Sequence, residues 1–211
     1  SGPDQVYSGG GDDDISTFDG TDIIVKDGSG NAQIDSGAGD DRIIINGPGN
    51  VNVDAGEGHD SVIINSHGDI TVSMGSGQAF IDIGGEATGQ VRIDTDASIS
   101  NYNTLFFHPP QSNFGSPNHY SNFSYVKSDD GTNGTIVIED SSGFRGGGIT
   151  VEVENQLEYD TSLGKWVLSD EGFKTINAAN FFASLILGSD FEEGDALFSN
   201  GSGYPHEVMV G

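Results

Sequence analysis

Asp22, Asp41 and Asp60 recur at an interval of 19 residues, and each stands two residues before an aliphatic side chain: Ile24, Ile43 and Val62. Carboxylates at a regular spacing behind glycine-rich turns are suited to hard cations. Ca2+ takes about 6 to 8 oxygen ligands at about 2.3 to 2.6 Å, from carboxylates and backbone carbonyls. Glycine lets a turn aim its carbonyls in directions that a Cβ would forbid. The expected chemistry is therefore calcium binding. Asp22, Asp41 and Asp60 would supply carboxylates, and the turn glycines Gly37, Gly39, Gly56 and Gly58 would supply the turn backbone. Asp13 holds the same place in the alternate half-turns, where Ala32, Val51, Ile70 and Val91 follow it. It joins the expected metal set as an isolated member. The competing reading is that these aspartates only shape turns through side-chain to backbone hydrogen bonds.

The elements that must position them are short strands. Aliphatic residues mark a register at Ile15, Ile24, Ile34, Ile43, Val53, Val62, Val72, Ile81 and Ile93, with a glycine four residues before each of the first eight. Steps of 9 and 10 alternate as far as Ile81, the last step is 12, and two units make one turn of 19 residues. Parallel strands stack about 4.8 Å apart and alternate their side chains between faces. Asp22 with Asp41, and Asp41 with Asp60, can then share an ion between successive turns. On one side the inward pairs are Ala32/Ile34, Val51/Val53, Ile70/Val72 and Val91/Ile93, with polar outward neighbours. On the other, Ile24, Ile43/Ile45, Val62/Ile64 and Ile81/Ile83 face inward, while Ile23, Val25, Ile44, Ile63 and Phe80 face outward. An outward apolar column of that kind calls for a cover. The C-terminal half or a protein partner is expected on it. Asn31 and Asn50, 19 residues apart, are read as an amide ladder.

The copies Ser36-Gly37-Ala38-Gly39-Asp40-Asp41-Arg42-Ile43-Ile44, Ala55-Gly56-Glu57-Gly58-His59-Asp60-Ser61-Val62-Ile63 and Ser8-Gly9-Gly10-Gly11-Asp12-Asp13-Asp14-Ile15-Ser16 resemble the glycine and aspartate rich nonapeptide of the RTX (repeats-in-toxin) family. The resemblance covers about the first 95 residues. It implies a parallel β-roll that binds calcium, carried by bacterial proteins that are exported unfolded.

Composition narrows the function classes. The chain has 211 residues and a net charge of −26, from 33 acidic against 7 basic residues, of which 23 are Asp and 10 Glu. Such a field repels nucleic acid and anionic membranes. There is no cysteine, hence no disulfide framework and no zinc-thiolate site. No apolar run reaches the ~20 residues that span a bilayer. Ser1-Gly2-Pro3 lacks signal-peptide character and reads as an addition to the natural chain, and the chain reads as part of a longer protein. The histidines show no metal-ligand spacing and no G-x-S-x-G is present, so a non-catalytic module is expected.

After Asp94 the register lapses into an aromatic and Asn-rich stretch from Tyr102 to Tyr125, read as a cap or second core or, alternatively, as a polysaccharide-binding platform. Strands are expected over Thr135–Glu139 and Ile149–Glu154, with a hairpin joining Leu157–Tyr159 to Lys165–Leu168. A short helix is expected over Asn177–Leu187. The sequence thus predicts an all-β chain: a parallel two-sheet β-solenoid over residues 1–100 and a β-rich region with one short helix over 101–211. Its expected role is that of a secreted, extracellular calcium-binding module of a larger exported protein. The alternatives are a polysaccharide-binding or polysaccharide-modifying module, or an adhesive or structural spacer.

Overall fold

In a computed structural model the chain is all-β, with two parallel sheets wound into a solenoid of about five turns. The structure describes residues 2–94, 104–107, 122–127, 133–140, 148–162, 165–168, 175–178, 184–185 and 197–198. The first sheet stacks β1 (Gln5–Ser8), β3 (Ile23–Lys26), β5 (Arg42–Ile45), β7 (Glu57–Ile64), β9 (Ser76–Ile83), β11 (Thr104–Phe107), β16 (Thr175–Ala178) and β17 (Ser184–Leu185). The second stacks β2 (Asp13–Ser16), β4 (Ala32–Asp35), β6 (Val51–Asp54), β8 (Ile70–Ser73), β10 (Gly89–Asp94), β14 (Ile149–Asp160), β13 (Asn133–Asp140), β12 (Asn122–Lys127) and β18 (Leu197–Phe198). A further strand, β15 (Lys165–Leu168), pairs with β14.

Each rung repeats the last in register, so like side chains stack. Ile24 pairs with Ile43, Ile43 with Val62 and Val62 with Ile81. Across the lumen Ile34, Val53, Val72 and Ile93 do the same. These side chains are fully or almost fully buried, and at about 25 cal/mol per Å2 of apolar surface removed from water they are the main source of stability. The outward residues of β4 and β6 (Gln33, Asp35, Asn52 and Asp54) are exposed, which is the alternation expected of a sheet wetted on one face.

The repeat starts earlier than its sequence signature. Gly2 donates its N–H to the Asp19 carbonyl at 3.0 Å and has φ +138°, close to +141° at Gly39 and +139° at Gly58. Gly2 therefore takes a corner position of the roll. Its register was hidden because Gln5 pairs with Ile23, one residue short of the regular step.

Both sheets also continue beyond Asp94. Thr104 pairs with Phe80 and Ile149 with Gly89, so β11 and β14 occupy the next rung of each sheet. The described C-terminal strands thus extend the sheets edge-on, and none of them is placed across the outer face that carries Ile23, Val25, Ile44, Ile63 and Phe80. Arg92 binds the two halves together on the outside of the second sheet, with Nη2 2.9 Å from Glu152 and Nε 2.9 Å from Glu154. The hairpin forms as expected, with Leu157 opposite Leu168 and Tyr159 opposite Trp166. The helix expected over Asn177–Leu187 is replaced, where that segment is described, by β16 and β17. A short isolated helix is marginal, whereas the open edge of β11 offers a complete row of hydrogen-bond partners. Of the aromatic stretch, Tyr102, Phe114, His119 and Tyr120 lie outside the described residues, while Phe106, Phe107, Phe123 and Tyr125 fall on β11 and β12. No described helix is long and apolar enough to cross a membrane.

Candidate metal centre

The aspartates gather at the edge of the first sheet. Asp22 and Asp41 immediately precede β3 and β5, and Asp60 lies in β7. The strand registers align them in one column, with Ala79 of β9 next in line. Although ionisable, Asp22, Asp41 and Asp60 are 0%, 2% and 2% exposed. Each uses one oxygen to hold the preceding rung. Asp22 Oδ1 accepts the Asp4 N–H at 2.7 Å, Asp41 Oδ1 accepts the Asp22 N–H at 2.8 Å, and Asp60 Oδ1 accepts the Asp41 N–H at 3.0 Å. The carboxyls accordingly lean toward the preceding rung and stand between successive turns. The second oxygens, Oδ2 of Asp22, Asp41 and Asp60, are buried and have no hydrogen-bond partner.

A buried carboxylate oxygen without a donor is costly, because nothing replaces the water it has lost. Burial pushes the Asp60 carboxyl up to about 7, against the Asp41 N–H that favours its anion, and the Asp41 and Asp40 charges push the same way. Burial likewise raises Asp41, against the Asp22 N–H and the nearby Ser36 hydroxyl, which itself donates to the Ala55 carbonyl, and the Asp22 and Asp40 charges add to the rise. Two species relieve such a column: a proton on each site, or a cation shared between rungs. The donor set is all oxygen and acceptor-only, which suits a hard divalent ion rather than a soft one. Among the described residues no three or more His, Cys, Asp or Glu side chains converge on one point. A cation here would therefore take carboxylates from two rungs and complete its shell with backbone carbonyls and water.

The turn glycines flank the column and are dictated by stacking. A Cβ on Gly39 would lie 1.5 Å from the Gly20 carbonyl oxygen, and one on Gly58 would lie 1.9 Å from that of Gly39. The Gly37 and Gly56 carbonyls accept the N–H of Glu57 and Ser76 at 2.9 and 3.0 Å, leaving each oxygen one further lone pair. Phe18 occupies the corner that Gly37 and Gly56 fill in the following turns. Its φ is +68° against +89° and +75°, and its side chain is 71% exposed.

Asp13 is not brought to this column. It lies on β2 in the second sheet, in register with Ala32, and accepts a hydrogen bond from the Ser8 hydroxyl. The reason is topological: odd and even half-turns face each other across the lumen, so the same repeat position lands on opposite sheets. Conversely, Asp4 was missed. It immediately precedes β1, in the place that Asp22 and Asp41 take before β3 and β5, and is therefore the column's outermost rung. The signal was present in Asp4-Gln5-Val6-Tyr7-Ser8 against Asp22-Ile23-Ile24-Val25-Lys26, offset by 18 residues instead of 19.

The opposite edge carries a different ladder. Asp12 Oδ1 accepts the Asn31 N–H, Asn31 Oδ1 the Asn50 N–H and Asn50 Oδ1 the Asp69 N–H, at 2.9 to 3.1 Å. These side chains are exposed and spent on the neighbouring turn, which agrees with a ladder at Asn31 and Asn50. Its bonds run from backbone to side chain instead of between amides. A true amide pair joins Asn65 to Asn46 at 3.0 Å. Lys26 was also unforeseen: it is fully buried in the position held by Ile45 on the next rung, with Nζ donating to the Gly28 carbonyl. Comparison of the chain with family models, with curated proteins and with solved structures finds no match in any of the three.

Proposed function

We propose that this chain is a calcium-binding solenoid module of a secreted bacterial protein, non-catalytic in itself, whose folding is coupled to extracellular calcium. The observation that supports this is the set of orphaned Oδ2 atoms on Asp22, Asp41 and Asp60, stacked in register and buried. An ion between rungs satisfies those oxygens and cancels the repulsion between stacked carboxylates. Its binding free energy becomes folding free energy, because the unfolded chain has no such column. In a cell interior poor in calcium, a chain of net charge −26 would then stay loosely folded, and outside it would close. The resemblance of the nonapeptides to the RTX repeat supports the same reading.

The test is calorimetric titration of calcium into chelator-treated protein, with circular dichroism in parallel. Binding in the micromolar to millimolar range with a gain of β signal is expected. A silent titration and an unchanged spectrum would refute it.

A second reading, an adhesive or structural spacer, has support in the first sheet's outer face. Tyr7, Val25, Ile44 and Ile63 are successive members of one register column, with Tyr7 73% exposed. Light scattering of an Ile44→Lys variant separates the two cases, since an assembly surface loses association while the calcium response stays.

A further inference from the structure

We propose that Asn46 is a site of spontaneous covalent modification: in the open chain the Gly47 backbone nitrogen displaces its side-chain amide, and the closed roll prevents this. The fold itself imposes the dipeptide. Asn46 follows β5 directly, and its exposed side chain is one step of an outward ladder. Its Nδ2 donates to Asp27 Oδ1 at 3.3 Å, and its Oδ1 accepts from Asn65 Nδ2 at 3.0 Å. Gly47 is buried, and a Cβ there would lie 2.0 Å from the Gly28 carbonyl oxygen. Stacking therefore demands glycine at position 47, while the ladder favours asparagine at position 46. Asparagine is thermolabile, most of all before glycine, where no Cβ shields the attacking nitrogen. One turn on, Asn65 stands in the same ladder but precedes Ser66, whose hydroxyl donates to the Gly47 carbonyl. Asn65 is thus an internal control.

Water is the only co-reactant. The Gly47 nitrogen gives up its proton to water and attacks Asn46 Cγ. A C–N bond closes a five-membered imide, the Cγ–Nδ2 bond breaks, and ammonia leaves with a proton from water. Water then opens the imide at either carbonyl, giving an aspartate or an isoaspartate whose main chain runs through the former side chain. In the fold each reacting group is held. The Gly47 N–H donates to the Lys26 carbonyl at 3.2 Å, the Asn46 N–H donates to the same carbonyl at 2.8 Å, and both ends of the side-chain amide are bonded. Either product fits the roll badly. An aspartate sets a second carboxylate against Asp27, where Nδ2 had donated, and like charges on neighbouring strands repel. An isoaspartate adds a backbone atom just before the corner where Gly47 packs onto Gly28 with no spare room. Time spent open is thereby recorded as molecules that no longer close. None of this depends on which ion, if any, the carboxylate column holds.

The test incubates the full chain in mildly alkaline buffer, folded as judged by circular dichroism and in parallel in concentrated urea. Peptide mass spectrometry follows amide loss at Asn46 and Asn65. A reaction that needs the chain open runs at the open-state rate times the open population, so Asn46 should convert at least about tenfold more slowly in the fold. In urea Asn46 should clearly outpace Asn65. Equal rates at Asn46 in the two conditions, or equal rates at Asn46 and Asn65 in urea, overturn this inference. Dilution of the aged sample out of urea then separates molecules that close from those that do not. Isoaspartate at position 46 should be depleted from the protease-resistant, refolded fraction and enriched in the remainder. Equal content in both fractions overturns the claim that conversion blocks closure.

Discussion

Replacing Asp60 with Asn should stabilise the metal-free protein at neutral pH, although it removes a residue proposed to bind metal. Burial raises the Asp60 carboxyl from 3.8 to about 7 in the fold. The native state therefore binds a proton more tightly than the unfolded chain, and stability falls as pH rises from about 4 to about 7 and then levels off. At 1.36 kcal/mol per pK unit, that change corresponds to up to about 4 kcal/mol lost above pH 7. Asn keeps the Oδ1 acceptor for the Asp41 N–H, bonded at 3.0 Å in the native protein. It puts an amide N–H2 where Oδ2 had no partner, at a cost of about 1 to 3 kcal/mol. The net gain is about 1 to 3 kcal/mol at pH 8; near pH 4, where the native Asp60 is already neutral, only the cost of the amide is left and the variant becomes the less stable of the two. Circular dichroism in excess chelator, at pH 8 and pH 4.5, reads this as more residual β signal in the variant than in the parent at the first pH only. In saturating calcium the order should invert, since the parent gains an ion that the variant holds less well. An Asp60→Asn protein that is less stable than the parent at pH 8 without metal, or a difference that ignores pH, would refute the reasoning.

Other outcomes follow from the same geometry. Gly39→Ala should unfold the roll or destabilise it by more than about 3 kcal/mol, because its φ is +141° and the new Cβ meets the Gly20 carbonyl oxygen at 1.5 Å; denaturant titration measures it. Phe18→Gly should stabilise by about 1 kcal/mol in the same assay, relieving a bulky residue at φ +68° while losing a mostly exposed ring. Ile44→Lys should leave the circular dichroism spectrum unchanged, since that side chain points out of the first sheet and is only half-buried; a lost β signal would show that the face packs inside the protein. Arg92→Ala should cost about 1 kcal/mol or less at low salt, and less again in high salt, because the Glu152 and Glu154 pairs that it removes are partly exposed.

The solenoid was legible because its causes are local and periodic. A glycine at each corner and an aliphatic pair on each strand fix the turn length and which face looks inward, so the Ile24 and Ile34 columns could be named from spacing alone. The same periodicity aligned Asp22, Asp41 and Asp60. What sequence could not supply was the environment of that column. Nothing in the spacing says that each Oδ1 is consumed by the preceding rung and each Oδ2 is left bare, because both facts depend on how one turn leans on the next. Asp13 and Asp4 show the limit from two sides. Asp13 has the right repeat position but lands on the opposite sheet, and Asp4 has a shifted one yet stacks on Asp22 because pairing of β1 with β3 overrides the missing residue. Within Asn177–Leu187, where a helix was expected, the described residues 177–178 and 184–185 are strand instead, since an open sheet edge outweighs weak local propensity. Sequence by itself determined the period, the inward faces and the acidic edge. Only the tertiary structure decided that Asp4 joins the column, which of the carboxylate oxygens lack partners, and that Lys26 could be buried, because each depends on contacts between residues about a full turn or more apart.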